Sequence, residues 1–547
     1  MSFEQLIKFS KIDEKTAKFI EHNDSTIKKN KNQKSKSVVL VEFNGWQPFH
    51  ISNSYLANIL AEKYQSKMVA FENFRIFNKK SYFNIIENLR WYLSLLFNTR
   101  TVKIYRSFGI DSFFKAGTKI SQLITTYILY KNIITKIKTK TDIENITIYD
   151  VWVGDLIYDT YLKVFNKLTI DINSKEFKNF LFKAISLFLF WFSYFQSKEV
   201  KALSVSHGVY TLAFPIRIAH KFDIPVYVSN EVKLIHLKKS CYSYEDRRTG
   251  YWIDFLDFKK RFFKLNDDEK NFALEIAKNQ FKMMVSGNWK DFYFKQSQYK
   301  KNQKVKFVNE STNPKILISS HAFNDSPHVW GSFFFPDFYE WFKFLEKIMI
   351  KTNYDWYVKP HPNATESDCD FLKKFVLNKK NVFLVPKDYS NLQLINEGIQ
   401  YVLTVYGTIG SEVPYLGATV INASLNNPHI DFSFNINPRN LKEYEKFLLN
   451  LPNLPKKEID KKEIYIYHFM RYFFYQNNYL LRNQNQRLDG SFIYSNDLYL
   501  EWKNKFNLSR HNEIIQSIKN FINSGDSIFS YEHKGKGLIE SCEENNR

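Results

Sequence analysis

Three short stretches in the second half of the chain carry residue types suited to holding phosphate. They are SHAFNDSPHVWG with Ser320, His321, Asp325 and His328; KPHP with Lys359, His361 and Pro362; and YGTIGSE with Gly407, Thr408, Gly410, Ser411 and Glu412. Each follows a β-branched run, and open parallel sheets bind ligands beyond the carboxyl ends of their strands. In GTIGS the glycines let backbone approach a ligand closely. The amides at the start of the helix expected over 411–416 would present donors to an anion. The hydroxyls of Thr408 and Ser411 add further donors. Glu412 could accept both hydroxyls of a ribose, as acids do in other nucleotide-binding sheets. His361, stiffened by Pro362, could donate to a phosphoryl oxygen, and one such preorganised donor is worth roughly 10²–10³ in rate. A His-Pro or a Gly-Thr-x-Gly-Ser alone is often a turn or a cap. Their occurrence at two successive strand ends is what points to a phosphate site. Asp325 reads as a loop-turning residue in NDSP, and for His328 donor contact and loop structure both stay open.

The first half offers fewer candidates. Asp155 follows the run 146–153, where a carboxylate suits a general base or nucleophile near an acceptor hydroxyl and equally suits a helix cap. Asp159 lies one turn further on the same helix. His207 and Gly208 end the run 203–206 and are placed to contact acceptor or donor sugar. Glu42 and His50 flank the first strand and its loop, and Glu231 with Lys233 follow IPVYVSN.

These residues need strands to carry them. Residues 1–36 read as an extension ending in a polar connector. From Val38, the runs 38–43, 67–72, 146–153, 203–207 and 224–230 alternate with amphipathic stretches, so 37–300 is expected to be one parallel-sheet domain. A polar segment, 296–314, separates it from a second series at 315–321, 355–362, 381–386, 401–407 and 418–423, giving a second domain over 314–455. An aromatic helical region over 456–525 is expected to pack back across both, followed by a flexible tail, 526–547. The fold class is α/β, with two Rossmann-like sheets facing one another.

At 547 residues, two large domains fit the length, and 44% hydrophobic with 24% charged content is that of a folded protein. The net charge of +22 calls for an anionic partner. The basic residues are dispersed and no nucleic-acid-binding signature occurs, so no nucleic-acid partner is expected. Cys241, Cys369 and Cys542 lack metal spacing, and MSFEQLIKFSKIDEK carries acids where a signal peptide needs bases. A reducing, cytoplasmic location is therefore expected. The apolar stretch Ala184–Phe195 is too short to span a bilayer and reads as a buried aromatic helix. Asp368 and Asp370 in DCD read as first-turn helix residues rather than a metal motif.

The motifs SHAFNDSPHVWG, VKPHPN and TVYGTIGSEVPYLGATVI resemble the donor half of the capsule polysaccharide biosynthesis glycosyltransferases, the group that includes bacterial Kdo transferases. VGDLIYDTYL (153–162) and SHGVYTLAFPIRIAHKFDIPVYV (206–228) are similar to the acceptor half. A more distant similarity reaches polysialyltransferases and teichoic-acid glycerophosphotransferases. The resemblance implies a GT-B fold, no metal and no cofactor, with a nucleotide-sugar donor held by Ser320, His321, His328, Lys359, His361, Gly407, Thr408, Gly410, Ser411 and Glu412. Asp155, His207 and His361 are the catalytic candidates. It also implies a CMP-linked acidic sugar such as Kdo, a lipid-linked or polysaccharide acceptor, and peripheral attachment to the inner membrane. Gly-Thr stands where polysialyltransferases have paired hydroxyls, which speaks against a sialic acid donor. The rival readings are transfer of glycerol phosphate from CDP-glycerol, and a non-catalytic glycan- or nucleic-acid-binding protein.

Overall fold

The computed structural model describes residues 11–27, 34–73, 85–230, 233–239, 253–286, 299, 305–331, 333–454, 458–474, 480, 499 and 508–546. Its first sheet contains β1 (Val38–Glu42), β2 (Lys67–Glu72), β3 (Ser112–Lys115), β4 (Val200–Val205), β5 (Val226–Ser229) and β6 (Leu234–Leu237). The second contains β7 (Lys315–Ser319), β8 (Asp355–Lys359), β9 (Val382–Leu384), β10 (Tyr401–Thr404), β11 (Thr419–Asn422) and β12 (Asn435–Ile436). The spatial orders are β3-β2-β1-β4-β5-β6 and β9-β8-β7-β10-β11-β12. Both are the Rossmann order, so each sheet has a topological switch point, between β1 and β4 and between β7 and β10. All pairings are parallel except β5 with β6.

The central strands are apolar without alternation because helices cover both faces. VVLVE of β1 and DWYVK of β8 are buried at every position. The helix Lys175–Ser197 contains the apolar stretch noted above and, among the described residues, is the one helix long and apolar enough to cross a membrane. Most of it is buried. Trp191 is fully covered and meets Phe71 of β2 edge-on, with ring centroids 5.0 Å apart, as a core helix would.

Three expectations differ from the structure. The run 146–153 is not a strand of the parallel sheet; Thr147–Ile148 and Val151–Trp152 form a short antiparallel hairpin. Its turn is made by Tyr149 and Asp150, both at positive φ, which breaks the run after two residues. The segment 526–547 is not a loose tail: Ile528 bridges to Ile235, and Leu234 and His236 exchange backbone hydrogen bonds with Phe529 and Ser527. Its apolar residues close the edge strand β6, and Leu538 and Cys542 are buried beyond it. The expected helix over 411–416 is a single turn, Ile409–Glu412, followed by a 3₁₀ turn, Pro414–Leu416.

Candidate functional site

At the second switch point the ends of β7, β8 and β10 are tied together by side chains. The Ser320 hydroxyl accepts from the His361 amide at 3.0 Å, joining β7 to β8. His321 Nε2 accepts from the Val405 amide at 3.3 Å, joining β7 to β10. Its ring stacks on Phe338 at 4.7 Å, and burial pushes its pKa down to about 3. Gly407 leaves room at this junction, since a Cβ there would lie 2.8 Å from Thr404 Oγ1 and 3.7 Å from His321.

Lys359 is buried, donates to Asn391 Oδ1 at 2.6 Å, and has its pKa pushed down to about 7 by desolvation. The charges of Glu412 and Asp388 act on it in the opposite direction. The loops carrying His361 and Glu412 therefore lie at one rim, close enough for the Glu412 charge to act on Lys359. That carboxylate also accepts from the Tyr299 hydroxyl. His361 is half-buried, and burial lowers its pKa to about 4. Its Nδ1 accepts from the Asn363 amide at 3.1 Å, so the neutral ring carries its proton on Nε2, as a hydrogen-bond donor.

Thr408 caps the single turn with helical backbone and no side-chain cap bond, and the Ser411 hydroxyl donates back to the Thr408 carbonyl at 3.0 Å. With so short a helix, anion binding here rests on individual amides, not on a summed dipole. Gly410 is backed by residues the motif reading passed over. A Cβ on it would lie 2.7 Å from the His429 ring and 3.2 Å from Asn435. Both ring nitrogens of His429 and both amide atoms of Asn435 are buried without a hydrogen-bond partner among the described residues. His429 follows β11 and Asn435 starts β12, so the strand-end rule applied to 424–435 would have marked them.

The switch point of the first sheet carries a relay. Glu42, at the end of β1, accepts at Oε2 from the Ser206 amide at 2.6 Å and from the Ser206 hydroxyl at 2.8 Å. Ser206 Oγ lies 2.7 Å from His207 Nδ1. Because the hydroxyl proton goes to Glu42, Ser206 Oγ accepts from Nδ1–H, which leaves Nε2 of His207 unprotonated and basic. The His207 side chain is exposed, beside Trp46 at 5.8 Å.

The two carboxyl-end rims face one another. Tyr210, three residues past His207, donates to Asp325 Oδ1 at 2.8 Å, and Lys163 reaches the same oxygen at 2.9 Å. The Asp325 charge is felt by the His361 imidazole. Asp325 therefore pairs across the domains besides turning its loop. Deeper in the interface, Tyr158 donates to Asp337 Oδ2 at 2.6 Å.

Several candidates fall away from this crevice. Asp155 is not placed as a base: it is buried, and its Oδ2 accepts from Arg217 Nη2 at 2.7 Å. Arg217 stacks over Trp152 at 4.8 Å, so the hairpin, the carboxylate and the guanidinium form a structural unit. His328 does not present its ring to a donor, because Nδ1 lies 2.5 Å from Asp159 and Nε2 3.0 Å from Glu144. His50 is locked between Tyr499 and the Asn44 carbonyl. Lys233 closes a turn with Asn230, and Glu231 and Cys241 lie outside the described residues. Asp368 completes a capping box with Thr365. Among the described residues no group of three or more His, Cys, Asp or Glu side chains is arranged to hold a metal ion.

No family model matches the chain, and no curated protein matches it. Solved structures do. KpsC of Thermosulfurimonas dismutans, a beta Kdo 2,4 transferase, aligns at 12% identity over 49% of this chain and 79% of its own, with a TM-score of 0.32. The UDP-GlcNAc 2-epimerase of Neisseria meningitidis, bound to UDP-GlcNAc, aligns at 12% identity over 80% of this chain and 98% of its own, with a TM-score of 0.23. That of Methanocaldococcus jannaschii, in complex with UDP-GlcNAc and UDP, gives 13%, 80%, 99% and 0.21. At these scores the description of the chain as two facing Rossmann-like domains, the GT-B architecture, rests on its own strand orders.

Proposed function

We propose that the chain is a glycosyltransferase that moves a sugar from a nucleotide-activated donor, a CMP-linked acidic sugar such as Kdo, to a growing bacterial surface polysaccharide. The observation that supports this reading is the Tyr210–Asp325 hydrogen bond, 2.8 Å long, which ties the rim carrying His207 to the rim carrying His361. His207 presents a bare Nε2 from the first sheet, and His361 a protonated Nε2 from the second, with Tyr210 and Asp325 joining the two rims beside them. A sugar transfer needs a base for the acceptor hydroxyl and a donor for the departing phosphate, and the two rings fill those roles. Lys359, His321, Gly407, Thr408, Gly410 and Ser411 are the residues assigned to hold the phosphate in this proposal.

In the reaction, His207 Nε2 takes the acceptor proton, and Ser206 with Glu42 holds the resulting imidazolium. The acceptor oxygen bonds to the anomeric carbon as the bond from that carbon to the phosphate oxygen breaks, and His361 Nε2–H stabilises the departing oxygen. The identity of the sugar rests on the sequence resemblance. The acceptor, placement at the inner membrane and independence from metal belong to the same proposal.

Melting the protein with CMP, CDP, UDP and GDP tests the donor site; failure of all four to raise the melting temperature removes it. Release of nucleotide from CMP-sugars, UDP-sugars and CDP-glycerol then separates sugar transfer from glycerophosphate transfer. A non-catalytic binding protein would release none.

A further inference from the structure

Two helices of the first domain expose apolar stripes of a kind that folded chains cover. In Ile85–Leu96, Leu89, Tyr92 and Leu96 stand one face apart at helical spacing and are 56%, 67% and 76% exposed. In the segment Ile120–Ile134, Ile120, Ile124 and Ile128 repeat every fourth residue at 74%, 78% and 54% exposure, flanked by Tyr127. Leu123–Ile134 packs its other face on the core helix Lys175–Ser197 through Tyr130 against Phe182, and Gln122 just before it donates to the Leu189 carbonyl at 3.2 Å. The outward stripe is thus surplus to folding. Trp91 of the first helix meets Phe43, just past the carboxyl end of β1, edge-on at 5.1 Å, and the second helix follows the carboxyl end of β3, so both lie on the side of the first sheet that carries His207.

The charge around the stripes is mainly positive. Residues 85–138 hold nine Lys and Arg against two acids, Glu87 and Asp111. Arg90, Lys119, Lys131 and Lys136 are solvent-exposed among the apolar residues. Lys119 lies 5.1 Å over the Phe190 ring, and Lys131 5.5 Å over Tyr127. Exposed apolar residues at helical spacing, rimmed by bases, are the signature of a helix lying in a membrane interface. Pairing with a second copy would set this basic rim against itself, which like-charge repulsion opposes.

We infer that the helices Ile85–Leu96 and Leu123–Ile134, with the turn at Ile120, form a docking surface for an anionic lipid bilayer. Leu89, Leu96, Ile120, Ile124 and Ile128 enter the acyl boundary while Arg90, Lys119, Lys131 and Lys136 meet the headgroups. The proposal rests on exposure and charge, independently of the catalytic reading. Binding in this orientation would bring the His207 rim close to a lipid-linked acceptor.

Sedimentation of the full chain with vesicles of phosphatidylcholine alone, and with about one third phosphatidylglycerol, tests it. The expected result is capture by the anionic vesicles, weakened by salt, with little capture by the neutral ones. Ile124→Asp/Ile128→Asp and Leu96→Asp should each reduce capture at least ~10-fold with little change in melting temperature, because the side chains are exposed. Ile350→Asp, on an exposed site of the second domain (82% exposed), should bind like wild type. Failure of the wild type to bind anionic vesicles, undiminished capture of the Asp variants, or a solution dimer that those variants dissociate would each overturn the assignment. The nucleotide melting shift is measured on the same samples, so loss of one property leaves the other readable.

Discussion

The imidazole of His328 joins the two domains through Asp159, its Nδ1 lying 2.5 Å from that carboxylate. Nε2 reaches Glu144 at 3.0 Å, so both nitrogens face acids and the ring is held as imidazolium. Burial alone would lower its pKa; the charge and hydrogen bond of Asp159, then those of Glu144, outweigh burial and raise it well above the usual value. For Asp159 burial wins over the opposing pull of His328 and raises its pKa to about 6.

Removing the ring strands two buried carboxylates. His328→Ala is expected to lower stability by about 3–5 kcal/mol, measured by urea unfolding, with His328→Gln intermediate because it keeps a donor but no charge. Since the folded pKa is raised, the contribution of His328 is complete below about 6.5 and fades as pH rises through the higher folded value. The difference between wild type and His328→Ala should therefore shrink in alkali. A difference independent of pH would show the ring to be neutral.

The relay at the first switch point makes a separate claim. His207→Ala should lower kcat by about 10²–10⁴ and leave the melting temperature nearly unchanged, as the side chain is exposed. Ser206→Ala and Glu42→Gln act through His207 by releasing its Nδ1 anchor and should lower kcat less, with KM little changed. Activity of His207→Ala equal to wild type would reassign the base.

Lys359 sets a pH dependence for ligand binding. With its pKa near 7 in the empty protein, the ammonium is charged below that value and neutral above it. A phosphate placed beside it favours the charged form, so binding takes up a proton above pH 7 and affinity falls as pH rises, by up to about tenfold per unit. Titration of nucleotide between pH 7 and 9 should show this slope, and Lys359→Met should abolish it. For stability the sign is opposite to that of His328. The unfolded chain holds a proton that the folded one lacks between about 7 and 10.4, so this group makes the empty protein more stable as pH rises through that window.

Most of the sheet architecture was legible because buried parallel strands announce themselves as apolar runs. KILIS and DWYVK cannot be exposed without loss. The strands SFFK and LIHL were missed because edge strands are short and flanked by loops. Run 146–153 was misread because one-dimensional apolarity does not distinguish a sheet strand from a hairpin, and the positive φ of Tyr149 and Asp150 has no glycine to mark it. The strand-end rule located the rim of His321, Lys359 and His361. It could not separate Asp155 and His328 from ligand-facing groups, because their partners Arg217, Asp159 and Glu144 lie 62, 169 and 184 residues away. It also gives Glu42 no specific role, since the value of that carboxylate comes from Ser206, just past a strand brought alongside only by the crossover.

Gly410 gives the sharpest test of the rim's packing. Its Cα faces the His429 ring so closely that an added Cβ would sit 2.7 Å from it, and both neighbours, His429 and Asn435, are buried. Gly410→Ala is therefore expected to cost about 1–3 kcal/mol through forced displacement of a ring that has no room to move. The cost should fall sharply in a His429→Ala background, where the methyl finds space, giving a coupling of the order of 1 kcal/mol or more in a double-mutant cycle read by urea unfolding. The substitution should also weaken the nucleotide-induced rise in melting temperature, because shifting the turn moves the amides of residues 408–411. Additive costs in the cycle would mean that His429 does not pack against this turn, and would detach the β11–β12 side of the rim from the ligand site.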